Sequence, residues 1–133
     1  MYLLNKPSTI LTERSLDVSS LRQRTIANNI ANNDTPNFKR SEVQFEQLLQ
    51  KELKSTLSFE AHRTDRRHYQ FGTQLEIAPL VKVDRQTAMN NNLNNVDIDA
   101  EMALQAKNSL HYNTLVDLMS YDLKHAKTAL DRR

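Results

Sequence analysis

The stretch that decides the fold is residues 97–131, DIDAEMALQAKNSLHYNTLVDLMSYDLKHAKTALD. Mostly apolar side chains recur in it at alternating intervals of four and three residues. They are Ile98, Met102, Gln105, Ser109, Tyr112, Val116, Met119, Leu123, Ala126 and Leu130, and we call them the C-terminal seam. This period is typical of helices that pack side by side in a left-handed coiled coil. Acidic Asp97 and Asp99 suit a helix N-terminus, so the stretch predicts one long helix over 97–131.

Three further leucines, Leu110, Leu115 and Leu118, lie off the seam. A helix with two apolar flanks can contact more than one neighbour, as a subunit of an assembly does. Equally, the two flanks can form one wide core face in an ordinary helical bundle. The sequence leaves these two interpretations open.

The N-terminal segment predicts a second long helix over 8–33. Its stripe at three- and four-residue spacing, the N-terminal stripe, consists of Leu11, Arg14, Val18, Leu21, Thr25, Asn28 and Asn32. The stripe ends in amides because residues 26–33 read IANNIANN. Asparagine disfavours helix interiors, since its side chain competes for backbone hydrogen bonds. The amides therefore form either a frayed, solvated helix end or a row that hydrogen-bonds neighbouring backbone or helices.

Residues 34–38, DTPNF, predict the end of this helix. Pro36 disfavours the α conformation at Thr35. Asn37 tolerates the positive φ that a turn after proline can require. Phe38 is then placed to pack back on the helix that has just ended.

The middle of the chain predicts a short helix over 42–54, with Ser41 and Gln44 as a capping box. Its apolar face consists of Phe45, Leu48, Leu49 and Leu53. Residues 55–95 are irregular, and within them 76–83 are expected to be extended, where Pro79 restricts any strand to a sheet edge. The sequence thus predicts one mainly α domain over 1–133. Long terminal helices pair as a coiled-coil-like bundle, with at most a short β element between them.

Composition excludes several classes of protein. Only 38% of the 133 residues are apolar, so we expect partners to supply part of the stabilisation. Gly72 is the single glycine, which argues against a β-rich fold and a Gly-rich nucleotide loop. Cysteine is absent, so there is neither a disulfide nor a thiolate metal site. A formal charge of +2 is too small to indicate nucleic acid or a membrane surface as partner.

No catalytic or metal-binding pattern is present. His62, His68, His111 and His125 lack the spacing of a metal motif. The acidic residues after Asn95 are better explained by helix capping than by acid–base catalysis. We therefore predict no enzyme activity, metal, cofactor, small-molecule substrate or nucleic-acid partner. The N-terminus lacks a basic segment followed by a long apolar run, so no cleaved Sec signal peptide is expected.

Two stretches resemble the flagellar rod and hook family of axial proteins. Residues 26–38, IANNIANNDTPNF, resemble the family's N-terminal motif, A-N-N-I-A-N-x-x-T-P-G-Y. Residues 94–103, NNVDIDAEMA, resemble N-N-V-D-x-D-x-E-M-A at the start of the family's C-terminal helix, and 108–113 follow at the family's spacing. The short length and residues 115–119, LVDLM, point to the proximal rod type, because distal rod and hook subunits carry large inserted domains.

Two positions depart from the family pattern. The glycine after Thr-Pro is Asn37 here, and asparagine can still adopt the left-handed conformation. The usual Asp-Gly before Asn94 is Asn92-Leu93. Leucine does not readily replace glycine where φ is positive, so the conformation of this loop is the open question.

The resemblance implies a structural subunit of the proximal rod of the flagellar basal body. Such proteins are exported by the flagellar type III apparatus without a cleaved signal, and they lie outside the cytoplasmic membrane, in the periplasm or cell-wall zone. Their terminal helices polymerise into a tube that transmits torque and forms the wall of the export channel. Implied partners are the chain itself, other rod proteins, the rod-to-ring adaptor, the export gate and membrane-ring components.

We therefore expect one set of residues to carry assembly. It comprises Leu21, Asn28, Asn29, Ile30, Asn32, Thr35, Pro36, Phe38, Asn94, Asn95, Val96, Asp97, Met102, Tyr112, Val116, Met119, Leu123 and Leu130. The alternative is a free-standing helical adaptor or secretion chaperone that forms a discrete dimer. A dimer saturates its interface, whereas a rod subunit polymerises as concentration rises.

Overall fold

A computed structural model describes residues 7–55, 78–89 and 92–131. Along these residues the chain forms α1 (Pro7–Ala31), β1 (Ser41–Gln44), α2 (Glu46–Ser55), β2 (Leu80–Val83) and α3 (Ile98–Asp131). The two strands pair as a short antiparallel sheet. The predicted fold class, mainly α with long terminal helices and a short β element, is confirmed.

Helix α1 ends at Ala31, two residues before the predicted end. The amide of Asn32 is shared between the carbonyl groups of Asn28 and Asn29, each at 3.2 Å, and the amide of Asn33 reaches Ile30. This tightening from i−4 to i−3 bonds is how a helix satisfies its last carbonyls as it ends. Asn37 follows with φ of 62°, as expected for the turn.

Helix α3 begins at Ile98, and Asp97 is its N-cap. The Asp97 side chain accepts hydrogen bonds from the amides of Asp99 at 3.0 Å and Ala100 at 3.3 Å. These amides have no acceptor inside the helix, so the carboxylate of Asp97 satisfies them. The positive end of the helix dipole in turn stabilises the negative charge of the carboxylate. The predicted start of this helix is therefore correct to one residue.

Helices α1 and α3 run antiparallel and pack against each other. Asn29 near the end of α1 bonds to Glu101 near the start of α3, while Ser19, earlier in α1, bonds to Asn108, later in α3. At 34 residues α3 is longer than α1 at 25. The end of α1 therefore lies beside the start of α3.

The face that each helix turns to the other differs from the predicted stripes. The side chains of α1 that are buried are Thr12, Val18, Ser19, Ile26 and Asn29, and those of α3 are Glu101 and Asn108. Leu11 and Asn28 of the N-terminal stripe are exposed, as are most members of the C-terminal seam. Thr12, Ser19 and Ile26 on α1, and Glu101 and Asn108 on α3, recur at intervals of seven residues, one position away from the predicted stripes, although Val18 of the N-terminal stripe is buried as well.

Buried side chains in the described residues are more often polar than apolar. The buried apolar residues are Val18, Ile26, Val43, Phe45 and Val96. The buried polar residues are Thr12, Ser19, Asn29, Asn94, Asn95, Glu101 and Asn108. A buried polar group is costly unless it is hydrogen-bonded, so hydrogen bonds rather than close apolar packing specify how these segments pair.

The short middle helix starts later than predicted. Ser41 and Gln44 lie in strand β1 and do not form a capping box, and α2 begins at Glu46. The strand forms because the backbone of Ser41 is bonded to the side chain of Asn29, and the carbonyl of Arg40 accepts the amide of Asp84 at 2.9 Å. A local capping pattern is thus overridden by contacts with distant segments.

The described residues divide into two compact units, one before Gln44 and after Val81, the other containing α2 and the first half of β2. The single domain over 1–133 stays a prediction. Most of the predicted irregular segment 55–95, with His62, His68 and Gly72, lies outside the described residues. None of the described helices has the length and apolarity that a bilayer span requires.

Candidate assembly site at the joint of the two long helices

The two motif stretches meet where α1 ends and α3 begins, and Asn94 joins them. This side chain is fully buried, and its amide group donates to the carbonyls of Asn32 at 2.9 Å, Asn33 at 2.8 Å and Thr35 at 3.0 Å. Its oxygen accepts the amide of Val96 at 2.7 Å. Carbonyls at a helix C-terminus lack partners in their own helix. Asn94 therefore ties the turn that follows α1 to the segment that precedes α3.

Asn29 makes the second connection. It is 1% exposed, and its amide exchanges two hydrogen bonds with the backbone of Ser41, at 2.8 and 3.0 Å, as a neighbouring strand would. The same nitrogen donates to a carboxylate oxygen of Glu101 at 3.1 Å. One asparagine thus holds α1, β1 and α3 together.

A charged pair lies beside Asn29. Glu101 is 1% exposed, and its second oxygen accepts a hydrogen bond from Nε of Arg40. Burial of the Arg40 guanidinium lowers its pKa, but the hydrogen bond and the negative charge of Glu101 outweigh burial, so the pKa is raised overall. The pair is charge-assisted and well satisfied, which is what a buried carboxylate requires.

Asn95 connects this pair to the loop before α3. Its oxygen accepts the amide of Arg40 at 2.6 Å, and its nitrogen donates to the carbonyl of Asp84 at 3.0 Å and the hydroxyl of Thr87 at 2.8 Å. Thr87 in turn donates to the carboxylate of Asp84 at 2.6 Å. That hydrogen bond is the main reason that the pKa of Asp84 lies below its ordinary value. We call Asn29, Arg40, Asn94, Asn95 and Glu101 the polar joint.

The loop that carries the family departure does adopt the conformation that disfavours leucine. Leu93 has φ of 62°, in the left-handed region. The ammonium of Lys39 donates to the carbonyls of Leu93 at 2.8 Å and Thr87 at 2.9 Å, and the amide of Asn37 donates to Asn92 at 3.0 Å. These contacts hold the backbone of Leu93 in a conformation that glycine would adopt at a lower steric cost.

Farther from the joint, the α1–α3 contact is also polar. Asn108 donates to the carbonyl of Ser19 at 2.9 Å and to the side chain of Gln23 at 3.1 Å. The hydroxyl of Ser19 lies 3.4 Å from Nδ1 of His111. The buried Oδ1 of Asn108 has no hydrogen-bond partner. The helix pair is therefore aligned by specific amide contacts.

The predicted assembly residues fall into three classes of exposure. Those that are buried are Asn29, Asn94, Asn95 and Val96. Those that are half-buried are Leu21, Ile30, Asn32, Phe38, Asp97 and Met119. Those that are exposed are Asn28, Thr35, Pro36, Met102, Tyr112, Val116, Leu123 and Leu130. The structure brings Asn29, Asn94 and Asn95 together at the polar joint, buries Val96 next to them in the chain, and leaves the last class on the surface.

Sequence reasoning missed Arg40, Glu101 and Asn108 as residues that organise the chain. A signal for two of them existed, because Glu101 and Asn108 are seven residues apart and match the period of Thr12, Ser19 and Ile26 on α1. The prediction followed the apolar residues instead, and so it chose the C-terminal seam, which lies next to the stripe that contains Glu101 and Asn108. Arg40 carries no periodic signal, since it lies in the turn before β1.

Comparison with known proteins assigns the family. A family model described as flagella basal body rod protein matches residues 18–39, which include the end of α1 and the following turn. The flagellar basal body rod protein FlgB of Borreliella burgdorferi is 35% identical over 131 residues, covering 92% of this chain and 95% of the relative. The chain belongs to the FlgB family of flagellar basal body rod proteins.

Other FlgB proteins match over a similar range. The FlgB of Bacillus subtilis is 38% identical over 118 residues, covering 89% of this chain and 88% of the relative. That of Borrelia hermsii is 38% identical over 122 residues, covering 88% and 90%. The similarity to each of these FlgB proteins therefore covers nearly nine tenths of the chain or more.

Proposed function

We propose that this chain is a structural subunit of the proximal rod and polymerises through its terminal helices, without a catalytic role. One observation carries the proposal. Helix α3 turns Glu101 and Asn108 toward α1. Four of its large apolar residues, separated from one another by seven or fourteen positions, stay exposed on its surface. They are Met102, Val116, Leu123 and Leu130, and we call them the outer row.

An outer row of this kind favours association. Contiguous exposed apolar surface on a soluble chain commonly marks a protein contact. A row at heptad spacing suits packing against another helix. Because α3 also binds α1, its two flanks can engage different neighbours, and heterologous contacts that do not close produce an open helical polymer.

The remaining features of the proposal follow from such a polymer. The polar joint ties both long helices to one end of the subunit, so a twisting load on one helix passes directly to the other, which suits torque transmission. Stacked helices would form the wall of an export channel. We propose as partners the chain itself, other rod proteins, the rod-to-ring adaptor, the export gate and membrane-ring components. The location is the basal body outside the cytoplasmic membrane, reached by type III export.

The test replaces Leu123 with asparagine, which places an amide in the middle of the outer row. Leu123 is 48% exposed, so the isolated chain should tolerate the change. Across an assembled interface it should cost about 2–4 kcal/mol. We expect cells that make normal amounts of the subunit but lack complete rods and do not swim.

The matched control is Lys124→Asn, which introduces the same residue at an exposed neighbouring position outside the outer row. It should leave swimming intact. Normal motility of Leu123→Asn cells would contradict the proposal. Sedimentation of purified chain over rising concentration separates the alternatives, because an adaptor or chaperone dimer stops growing at two copies.

A further inference from the structure

Helix α3 carries two parallel stripes, and the chain turns the less apolar one inward. One of them, which we call the inner stripe, consists of Glu101, Asn108, Leu115 and Asp122. Each of its members is followed directly in the sequence by a member of the C-terminal seam, namely Met102, Ser109, Val116 and Leu123. The inner stripe is buried or half-buried, whereas these four neighbours are exposed. One helix position corresponds to a rotation of about 100°, so the two stripes are alternative faces for contact with α1.

Apolarity alone favours the other rotation. The inner stripe offers one aliphatic side chain, Leu115, while the neighbouring positions offer Met102, Val116 and Leu123. Burying large apolar side chains is favourable, and burying polar ones is costly unless they are hydrogen-bonded. Rotating α3 by one position would turn three exposed apolar residues toward α1, in the pairing that the sequence predicts. Most of the outer row would then be hidden inside the subunit.

Close packing does not fix the observed rotation. Within Ile98–Asp131, Glu101 and Asn108 are the two buried residues. Beside Asn108 lies a groove of about 390 Å³ between α1 and α3, and its lining, which includes Gln23 and Ser109, contains no aliphatic side chain. Oδ1 of Asn108 is buried without a hydrogen-bond partner among the described residues. An unpartnered buried oxygen costs stability, so Asn108 is not the residue that tight packing would require here.

Directional hydrogen bonds fix the rotation instead. Glu101 accepts hydrogen bonds from Asn29 and Arg40, both of which belong to the polar joint. Asn108, seven residues later, donates to the carbonyl of Ser19 at 2.9 Å. Rotating α3 by one position would break both connections and leave polar groups without partners. Two connections at heptad spacing on one face of a helix therefore hold its rotation.

We propose that Glu101 and Asn108 are positioning residues, which hold α3 in the rotation that keeps the outer row exposed and available for polymerisation. The inference rests on the proposed polymerisation and names the residues that make the assembling surface available. A buried asparagine in a helix pair can specify register at a cost in stability, and Asn108 shows the same balance. Without the two side chains, the apolar pairing becomes the more stable one, and the subunit hides the surface that it needs for assembly.

Labelling of single introduced cysteines reports the rotation of α3, because the chain has no cysteine of its own. Met102→Cys lies on the outer row, Leu115→Cys lies on the inner stripe, and Leu110→Cys replaces a residue that is 70% exposed. Each is measured on dilute chain, in the wild-type background and in a double variant with Glu101→Ala and Asn108→Ala. In the double variant we expect labelling at position 102 to slow about tenfold or more, because a buried thiol reacts only through local opening. Labelling should become faster at position 115 and stay the same at position 110, which faces solvent in either rotation.

The opposite changes at positions 102 and 115 distinguish rotation from unfolding, since unfolding does not slow labelling at an exposed position. An unchanged labelling pattern in the double variant would overturn the proposal, because the rotation of α3 would then not depend on the two side chains. Faster labelling at both positions would overturn it as well, because the apolar pairing would then be unable to hold α3.

The matched variant places leucine at both positions, Glu101→Leu with Asn108→Leu. It loses the same hydrogen bonds as the alanine variant, but it makes the inner stripe apolar, so we expect the wild-type labelling pattern. The concentration needed for polymerisation should rise about tenfold or more in the alanine variant and stay near the wild-type value in the leucine variant. If both variants lose assembly to the same degree, the two side chains serve stability alone and the proposal fails.

The outcomes separate this inference from the proposed function. If the wild-type chain forms only monomers or dimers at every concentration, the proposed polymerisation fails, while the labelling pattern still tests the rotation of α3. If the wild type polymerises and the alanine variant does so at the same concentration, polymerisation stands and Glu101 and Asn108 are not positioning residues.

Discussion

Replacing Asn29 with alanine is the most informative single change, because Asn32, another asparagine of the same repeat, provides an internal comparison. Both asparagines belong to the repeat IANNIANN of residues 26–33, Asn29 as the last residue of the first tetrad and Asn32 as the third residue of the second. Asn29 makes three hydrogen bonds that reach β1 and α3, whereas Asn32 is only half-buried and its amide donates within α1, to the carbonyl of Asn28 at 2.8 Å. The same substitution therefore removes tertiary contacts at one position and local ones at the other.

The expected magnitude follows from these bonds. Two bonds to the Ser41 backbone contribute about 1 kcal/mol each, and the bond to the Glu101 carboxylate about 1.5–3 kcal/mol. Alanine returns about 0.5–0.7 kcal/mol of helix propensity. We expect Asn29→Ala to lower the free energy of unfolding by about 3–4 kcal/mol. Asn32→Ala should change it by no more than about 0.5 kcal/mol.

The assay is urea unfolding of each purified variant, followed by far-ultraviolet circular dichroism, with swimming measured in parallel. Asn29→Ala should fail to assemble although its isolated α1 sequence is the better helix former. Asn32→Ala should retain stability, so any loss of swimming there would come from a contact with a neighbouring subunit. Equal unfolding free energies for the two variants would refute the polar joint as the element that pairs α1 with α3.

Three further predictions concern the same network. Glu101→Gln keeps the shape but removes the charge paired with Arg40, and it should lower the free energy of unfolding by about 2–4 kcal/mol in urea titration; an unchanged midpoint would contradict it. Lys39→Met removes two bonds to loop carbonyls and should cost about 1–2 kcal/mol in the same assay. Because the pKa of Asp84 is lowered by folding, its contribution to stability is present above the unfolded pKa and is lost as pH falls through the folded pKa. Removing the hydroxyl in Thr87→Val should therefore destabilise the chain most at neutral pH, and a stability difference from wild type that grows toward acid pH would contradict this.

Local chemistry was enough to place the long helices and their ends. Asp97 is the N-cap of α3 because an acidic side chain next to free helix amides is stabilised whatever the rest of the chain does. The turn at Asn37 also follows from neighbouring residues alone. The short helix was misplaced at its start, because Ser41 bonds to Asn29 and so joins a strand that no local pattern indicates.

The sequence by itself determined that two long helices form, where each begins and ends to within two residues, and to which family the motif stretches are similar. Only the tertiary structure decided which face of each helix points inward. A 4-3 period permits two adjacent stripes on α3, and apolarity favoured the one with Val116 and Leu123. The chain instead turns inward the stripe with Glu101 and Asn108, because their partners Arg40 and Ser19 lie on distant segments that folding brings close. A buried polar side chain is stable only beside its partner, and the position of that partner is a property of the folded chain.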